Sequence, residues 1–340
     1  MKKSTAAALI LAAAALILDS RCAADAAGNS LILCGKTLIP TLFPLFVVSG
    51  MLVPGLQNFR LPWLSRLMRM PPGAEGIWLL GAAGGFPVGA ASIAQAVQNG
   101  SLSRKDGDRM LGLCSLCGPA FIFGILPQFL SITEAFVIFA IQWETSLLIA
   151  AFWNGTSCQP ISHETESVSL PQAVRRAVDS ILTVCAWVVL AGVATGFLRK
   201  WLFPILPGSV GILLTGLLEL TTGIFALPSE NRFLLTALFI CFGGVSVLLQ
   251  IGGLAGASGL SMGTCIGQKS IHGLLGTLTA GLYLQLGYVA LLLIPALIFA
   301  KIMVEIPGRL LYNSRERKGS ECCFERRWSG PASTAASAQK

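Results

Sequence analysis

The sequence predicts an all-α, polytopic membrane protein whose helices are broken or re-entrant, and three observations carry that prediction. The first is composition: 54% of the 340 residues are hydrophobic, only 12% are charged, and the mean hydropathy is +0.73. A soluble globular chain carries about 25% charged residues. The second is the clustering of charges between long apolar runs, where a soluble protein would dot them along every helix. The third is the stretch from Gly81 to Gly124, in which glycine and proline interrupt two apolar segments joined by a short charged connector. A related pattern returns as Leu218–Gly223 followed by Phe242–Gln250. Interrupted membrane segments at corresponding places in two halves point to a transporter's binding site.

The chain opens with Lys2-Lys3, the apolar run Thr5–Leu18 and a polar stop at Asp19-Ser20-Arg21. A run this short suits a signal-peptide core or a spanning helix; Ala24-Asp25-Ala26 is a weak cleavage site, and an uncleaved first helix is the favoured reading. Bulky Arg21 before Cys22, and Leu33 before Cys34, speak against a lipoprotein. Apolar segments follow at Leu31–Val53, Ile77–Val97, Met110–Leu130, Ala135–Trp153, Ile181–Phe197, Val210–Leu227, Phe233–Ile251 and Ile271–Ala300. A span needs about 20 residues; the last run exceeds that and is expected to tilt or break near Gly287. Arg60–Met70 mixes Arg66 and Arg69 with Leu, Trp and Met, the composition of a helix lying in the interface.

These segments divide the chain into an N-terminal helix (1–30), a first repeat (31–154), a polar linker (155–176), a second repeat with a terminal helix (177–303) and a basic, disordered tail (304–340). The linker carries His163, Glu164 and Glu166. Val48-Ser49-Gly50-Met51 answers Leu190-Ala191-Gly192-Val193, and each is followed by two broken segments. Whether the copies are inverted is not legible. If Ile77–Val97 dips into the bilayer and returns, Arg60, Arg66 and Arg69 share a face with Arg104, Lys105 and Arg109, and two further spans bring Arg175-Arg176 there. The positive-inside rule makes that face cytoplasmic. Arg199-Lys200 then falls on the other side.

The net charge of +8 follows from juxtamembrane clusters and the tail, and no basic stripe interleaved with aromatics marks a nucleic-acid binder. The ten cysteines do not form a metal set: Cys114 and Cys117 are spaced CxxC without a second pair, Cys185 and Cys241 sit in apolar runs, and the histidines are His163 and His272. Cys322 and Cys323 in the tail have no evident role. No HExxH, GxGD or phosphate loop appears, so no enzyme, cofactor or metal is expected.

Backbone that leaves helical geometry inside a membrane must be buried in protein or line a cavity. Gly84, Gly85, Pro87 and Gly89 crowd helix-disfavouring residues together, and Gly118-Pro119 repeats the device. A half-helix starting at such a break aims its N–H groups at the cavity and suits an anionic group. The candidate substrate-binding residues are therefore Pro87, Gly89, Ser92, Ser115, Gly118, Pro119, Glu219, Thr221, Thr222, Gly223, Gly243, Gly244, Ser246 and Gln250. Glu219 stands out as the sole acid between Asp179 and Glu230. It reads as a substrate or cation ligand or a proton carrier, the plainer reading being a cap on a helix N-terminus. Glu134 and Glu144 read as interfacial.

Ile39–Phe46, Gly85-Phe-Pro-Val-Gly89, Cys114 with Gly118-Pro-Ala-Phe121, Leu218–Gly223 and Phe242–Gln250 occur in an order and spacing that resembles the YlbJ-type sporulation integral membrane proteins. That family belongs to the nucleoside-recognition, or Gate-domain, superfamily, related to concentrative nucleoside transporters. The resemblance spans about residues 30–255. It implies two Gate-like repeats meeting near the bilayer midplane, and transport of a small anionic solute, with dipicolinate the concrete case. The alternatives are a carrier of nucleosides or other polar solutes, or a non-transporting sporulation scaffold. Its implied setting is the bacterial cell membrane, at the outer forespore membrane during sporulation. The implied partners are the lipid bilayer, a small-molecule solute and a coupling cation or proton; the oligomeric state is not implied. The family tends to carry two Asn and a small polar residue before Gly-Pro, where this chain has Ser115, Leu116 and Cys117.

Overall fold

The computed structural model describes residues 3–57, 61–152, 168–256, 258–298 and 300–301, without the side chains of 3–5, 8, 49 and 52–57. Arg60, the linker residues His163, Glu164 and Glu166, the side chain of Ser49, and the tail with Cys322 and Cys323 lie outside the described residues. The compact unit described below is Met1–Leu292; a second begins at Leu293.

Among the described residues the regular structure is all helical, with no strand. Two helices, α1 (Lys3–Leu18) and α2 (Ser20–Leu33), lead through a π-helical turn at Cys34–Leu38 into α3 (Ile39–Gln57). The short α4 (Pro62–Leu67) precedes α5 (Ala74–Gly84) and α6 (Phe86–Gln98), then α7 (Arg104–Leu113), α8 (Pro119–Ile125) and α9 (Ile132–Phe152). The second half runs α10 (Leu170–Trp201), α11 (Gly208–Leu218), α12 (Leu220–Ala226), α13 (Arg232–Phe242), α14 (Gly244–Gly256) and α15 (Met262–Leu286). Ser20–Val48, Ile132–Phe152, Leu170–Trp201 and Arg232–Gly256 are long and apolar enough to cross a membrane. Leu182 and Leu190 on α10, and Leu274 and Leu278 on α15, are exposed, as an apolar surrounding allows. The chain is a multi-pass membrane protein.

Several boundaries differ from the sequence reading. The divisions at 30/31 and 176/177 fall inside α2 and α10. The final long helix starts at Met262, well before Ile271, because the polar Gln268 and Lys269 lower the local hydropathy without ending the helix. It does stop at Gly287, whose φ of 60° closes it. Glu144 is not at a segment end: it sits well inside α9, and its Oε2 is buried without a hydrogen-bond partner.

The run Ile77–Val97 is a helical hairpin. Its arms α5 and α6 have 11 and 13 residues, about 16 and 20 Å at 1.5 Å per residue, short of the roughly 30 Å hydrocarbon core. They pack on each other around Gly85, where φ is 88° and ψ is −175°. The arms α11 and α12 form a second hairpin turning at Glu219.

The two hairpins enter from opposite faces. Beside the open end of the first, the Arg109 guanidinium donates to the Met68 and Arg69 carbonyls, and Gln98 Nε2 donates to Ser258 Oγ at 3.0 Å. On that same face the Ser261 N–H donates to Asp108 Oδ1 at 2.6 Å. At the end of the second hairpin, Arg232 Nη2 donates to the Leu227 carbonyl at 2.8 Å, and its guanidinium stands 5.6 Å over Phe129. Phe129 meets Phe225 edge-on at 4.6 Å. The helix α15 measures the separation: Ser261 at its start belongs to the first face, and Tyr283 near its end packs at a tilt against Phe233 at the second. The 22 steps from one to the other rise about 33 Å.

Taken in chain order, several elements of the two halves make matching contacts. The long helices α3 and α10 pack together, as do α9 and α15; α3 touches α5 and α8, and α10 touches α11 and α14. The pairs α7–α15 and α13–α9 match in the same way. Arg66, Arg69, Arg104, Lys105 and Arg109 gather on the first face, and Arg199, Lys200 and Arg232 on the second. Lys200 Nζ reaches Asp19 Oδ2 at 2.5 Å, and that hydrogen bond holds the Asp19 carboxyl below the usual carboxylate range.

This arrangement has a direct test in membrane vesicles. Arg66→Cys and Arg104→Cys should react with an impermeant thiol reagent from one side, and Ser229→Cys from the other. Labelling of the first two from opposite sides would remove the hairpin.

Candidate functional site

The four interruptions converge. At Gly118 a Cβ would lie 3.0 Å from the Gly85 Cα, so the first hairpin's tip touches the unwound segment between α7 and α8. At Gly243 a Cβ would meet Phe86 Cε1 at 3.3 Å, and at Gly244 it would meet the Leu220 nitrogen at 3.3 Å. The junction of α13 and α14 is thus wedged between both hairpin tips. Gly243 and Gly244 have φ of 90° and 78°, a region L side chains rarely adopt.

Where the tips meet, a cavity of about 60 Å³ remains, room for a few water molecules. Its wall takes Gly84–Pro87 from the first hairpin, Cys117 and Gly118 from the unwound segment, Glu219–Thr221 from the second hairpin, and Ser246 and Gln250 from α14. Larger cavities flank it. One of about 390 Å³ lies between α3, α6, α10 and α14, shares Pro87 and Gln250 with the small cavity, and is lined by Ser92, Gln95, Arg176 and Asp179. The other, about 440 Å³, is lined by Asp19, Arg21, Arg199 and Lys200 and reaches Thr222. The first volume falls within the range of small-molecule pockets.

The wall's charged group is Glu219, 2% exposed. Its carboxylate caps α12: Oε1 accepts the Thr221 N–H at 3.0 Å and Oε2 the Thr222 N–H at 2.6 Å. The acid is in the cavity wall and also performs the capping that was its plainer reading. The helices α6 and α8 begin differently. Their N-caps, Gly85 and Gly118, offer no side-chain hydrogen bond, and a proline opens each first turn. Proline suits that position because its missing N–H would be unpaired there anyway. Pro87 and Pro119 therefore start helices and do not break them.

Two expected break residues turn out to serve packing. Gly89 lies inside α6, where a Cβ would fall 2.1 Å from the Cys114 carbonyl oxygen. Gly81 in α5 approaches the same oxygen, at 1.8 Å. In the second hairpin Gly223 and Gly216 do the same, a Cβ at Gly223 lying 2.1 Å from the Gly216 Cα. Ser115 is buried but does not face the cavity; its hydroxyl bonds back to the Leu111 carbonyl at 2.6 Å. Pro87, Gly118, Glu219, Thr221, Ser246 and Gln250 thus meet at one cavity, while Ser92 and Thr222 line its flanking spaces.

The unwound segment 114–118 needs its backbone satisfied inside the bilayer. Residues from α9 and α15 supply this. Gln142 Oε1 accepts the Cys117 N–H at 3.0 Å while its Nε2 donates to the Cys117 carbonyl at 2.7 Å. Ser146 Oγ donates to the Leu113 carbonyl at 2.9 Å and accepts from Trp78 Nε1 at 3.3 Å. Lys269 Nζ donates to the Ser115 carbonyl at 3.1 Å, and just before the segment, inside α7, Gln268 Nε2 donates to the Arg109 carbonyl at 2.7 Å. Sequence reasoning missed all four. The available signal was isolated polar residues within apolar helices: Gln142 and Ser146 in Ala135–Trp153, and the pair Gln268-Lys269 just before Ile271.

A segment of 105 residues is 28% identical to a curated relative, the sporulation integral membrane protein YlbJ of Bacillus subtilis (strain 168). This chain resembles a sporulation membrane protein. The match covers 29% of this chain and 26% of the relative, so it speaks for about a quarter of that protein's length. No protein-family profile matches the chain, and no solved structure does. The relative is an integral membrane protein, in agreement with the apolar helices here.

Proposed function

We propose that this protein is a carrier of a small anionic solute in the membrane of a sporulating cell, built from two inverted Gate-like units. The observation that carries the proposal is the meeting of four broken helices at one small cavity with larger spaces on either side. Broken helices at a buried site are the construction secondary transporters use for substrate. The similarity to a sporulation membrane protein supports the cellular setting.

The anionic character rests on α6 and α8, whose first turns reach the cavity without a side-chain cap. Helix N-termini favour negative charge through their free N–H groups and the helix dipole. The flanking space carries both Arg176 and Asp179, so it adds no net charge of its own. At about 60 Å³ the cavity is too small for a ring-sized solute, so carrying one requires its wall to move.

The test is uptake into proteoliposomes containing the purified chain. Labelled dipicolinate should accumulate above protein-free vesicles, and unlabelled dipicolinate should compete better than uridine. Preferential competition by nucleosides would favour the neutral polar-solute reading. No uptake of either class by monodisperse, correctly inserted protein would favour a scaffold.

A further inference from the structure

Lys269 and His272 lie three residues apart on α15, buried in the helix core, and nothing in the proposed transport path uses them. Lys269 is 0% exposed. Its Nζ donates to the Ser115 carbonyl at 3.1 Å, lies 3.4 Å from His272 Nδ1 and stands 5.3 Å over the Phe86 ring. No carboxylate pairs with it among the described residues. The other titratable groups around it are the buried thiols of Cys117, Cys241 and Cys265, from the unwound segment, α13 and α15.

The hydrogen-bond roles are determined by the neighbours. His272 Nε2 is 2.9 Å from the Gln142 carbonyl, which can only accept. Giving the Nε2 proton to that carbonyl leaves the Nδ1 lone pair for the lysine, and the Cys241 backbone also hydrogen-bonds this ring. An ammonium has three donors and no acceptor. Here a carbonyl oxygen, an imidazole lone pair and an aromatic face surround one nitrogen, three electron-rich groups for three N–H bonds. A neutral amine would have to aim its own lone pair at one of them.

The groups around this ammonium come from parts of the cavity wall that must stay together. Phe86 opens α6 at the first hairpin's tip, Ser115 belongs to the unwound segment, and Gln142, behind His272, holds Cys117. A charge in the membrane interior is costly and marks a functional position by default. We infer that this is a monovalent-cation site occupied by the chain's own ammonium, which clamps the first hairpin's tip to the unwound segment. Combined with the carrier reading, on which this consequence alone rests, the first half of the cavity needs no dissolved alkali cation.

Hydrogen exchange on the detergent-solubilised full chain tests the clamp. Lys269→Met keeps an unbranched stem, one atom shorter, but removes charge and donors. It should accelerate exchange at residues 84–90 and 113–118 by about tenfold or more while residues 219–223 keep their protection. A folded Lys269→Met protein with wild-type protection at both first-half segments overturns the inference. If that variant does not fold, Lys269→Ala purified with methylammonium decides. Recovery with methylammonium, and not with tetramethylammonium, which has charge without N–H donors, is the expected result. No recovery overturns it. In proteoliposomes, wild-type uptake should be equal in sodium and in choline buffer; sodium dependence would remove the consequence, and absence of all uptake would count against the carrier reading while the exchange result stands.

Discussion

Gly81→Ala and Gly89→Ala should each prevent the first hairpin from closing. A Cβ at these positions would sit 1.8 and 2.1 Å from the Cys114 carbonyl oxygen. That atom is backbone at the start of the unwound segment, so it cannot swing aside as the end of a side chain would. Overpacking a core typically costs about 1–3 kcal/mol, and a clash with fixed backbone from two sides belongs at or beyond the top of that range. The expected outcome is a sharp loss of monodisperse protein and a lowered melting temperature in detergent. Gly253→Ala is the control: it lies in α14 with nothing within 4 Å of its Cβ position. That change should be neutral or stabilising by up to about 1 kcal/mol, the helix preference of Ala over Gly. Equal melting of all three variants would mean that α5, α6 and Cys114 are not in contact.

Glu219→Gln should abolish or uncouple uptake while leaving insertion normal. The acid uses both oxygens on α12, accepting from Thr221 and Thr222. The amide retains one acceptor, and its NH₂ group would face the second backbone N–H. One lost hydrogen bond costs about 1 kcal/mol, too little to unfold the chain. Glu219→Ser separates the two roles, because serine is a good N-cap without charge. If the carboxylate serves solute or proton movement, both variants lose flux although the serine protein melts close to wild type. If capping is its whole role, the serine variant transports normally, and wild-type flux with an unchanged pH profile in the Gln variant would refute the functional reading.

Much of the site was legible because breaking a membrane helix leaves a mark in composition. Gly85, Gly118, Glu219 and Gly243-Gly244 announce interruptions, and all four do interrupt. The role of each neighbouring glycine or proline was not legible. Gly89 and Gly223 read like Gly85, yet they are helical and small because another backbone crosses them. Pro87 and Pro119 read as breakers but occupy first turns, where proline is at home. Composition records that a residue is small or lacks a donor; it does not record what approaches it.

The sequence by itself determined the solvent this protein folds in, the all-helical class and the places where helices stop. Those follow from local properties: apolar length against bilayer thickness, and the backbone preferences of glycine and proline. Only the tertiary structure decided that the hairpins enter from opposite faces, that their tips share one cavity, and that Gln142 and Lys269 close the backbone of a segment more than twenty residues away. The reason is that unwound backbone inside a membrane can be satisfied from any helix that packs beside it. Which helix does so is a matter of assembly: isolated polar residues such as Gln142 and Lys269 mark candidates along the chain, but not the backbone they will meet.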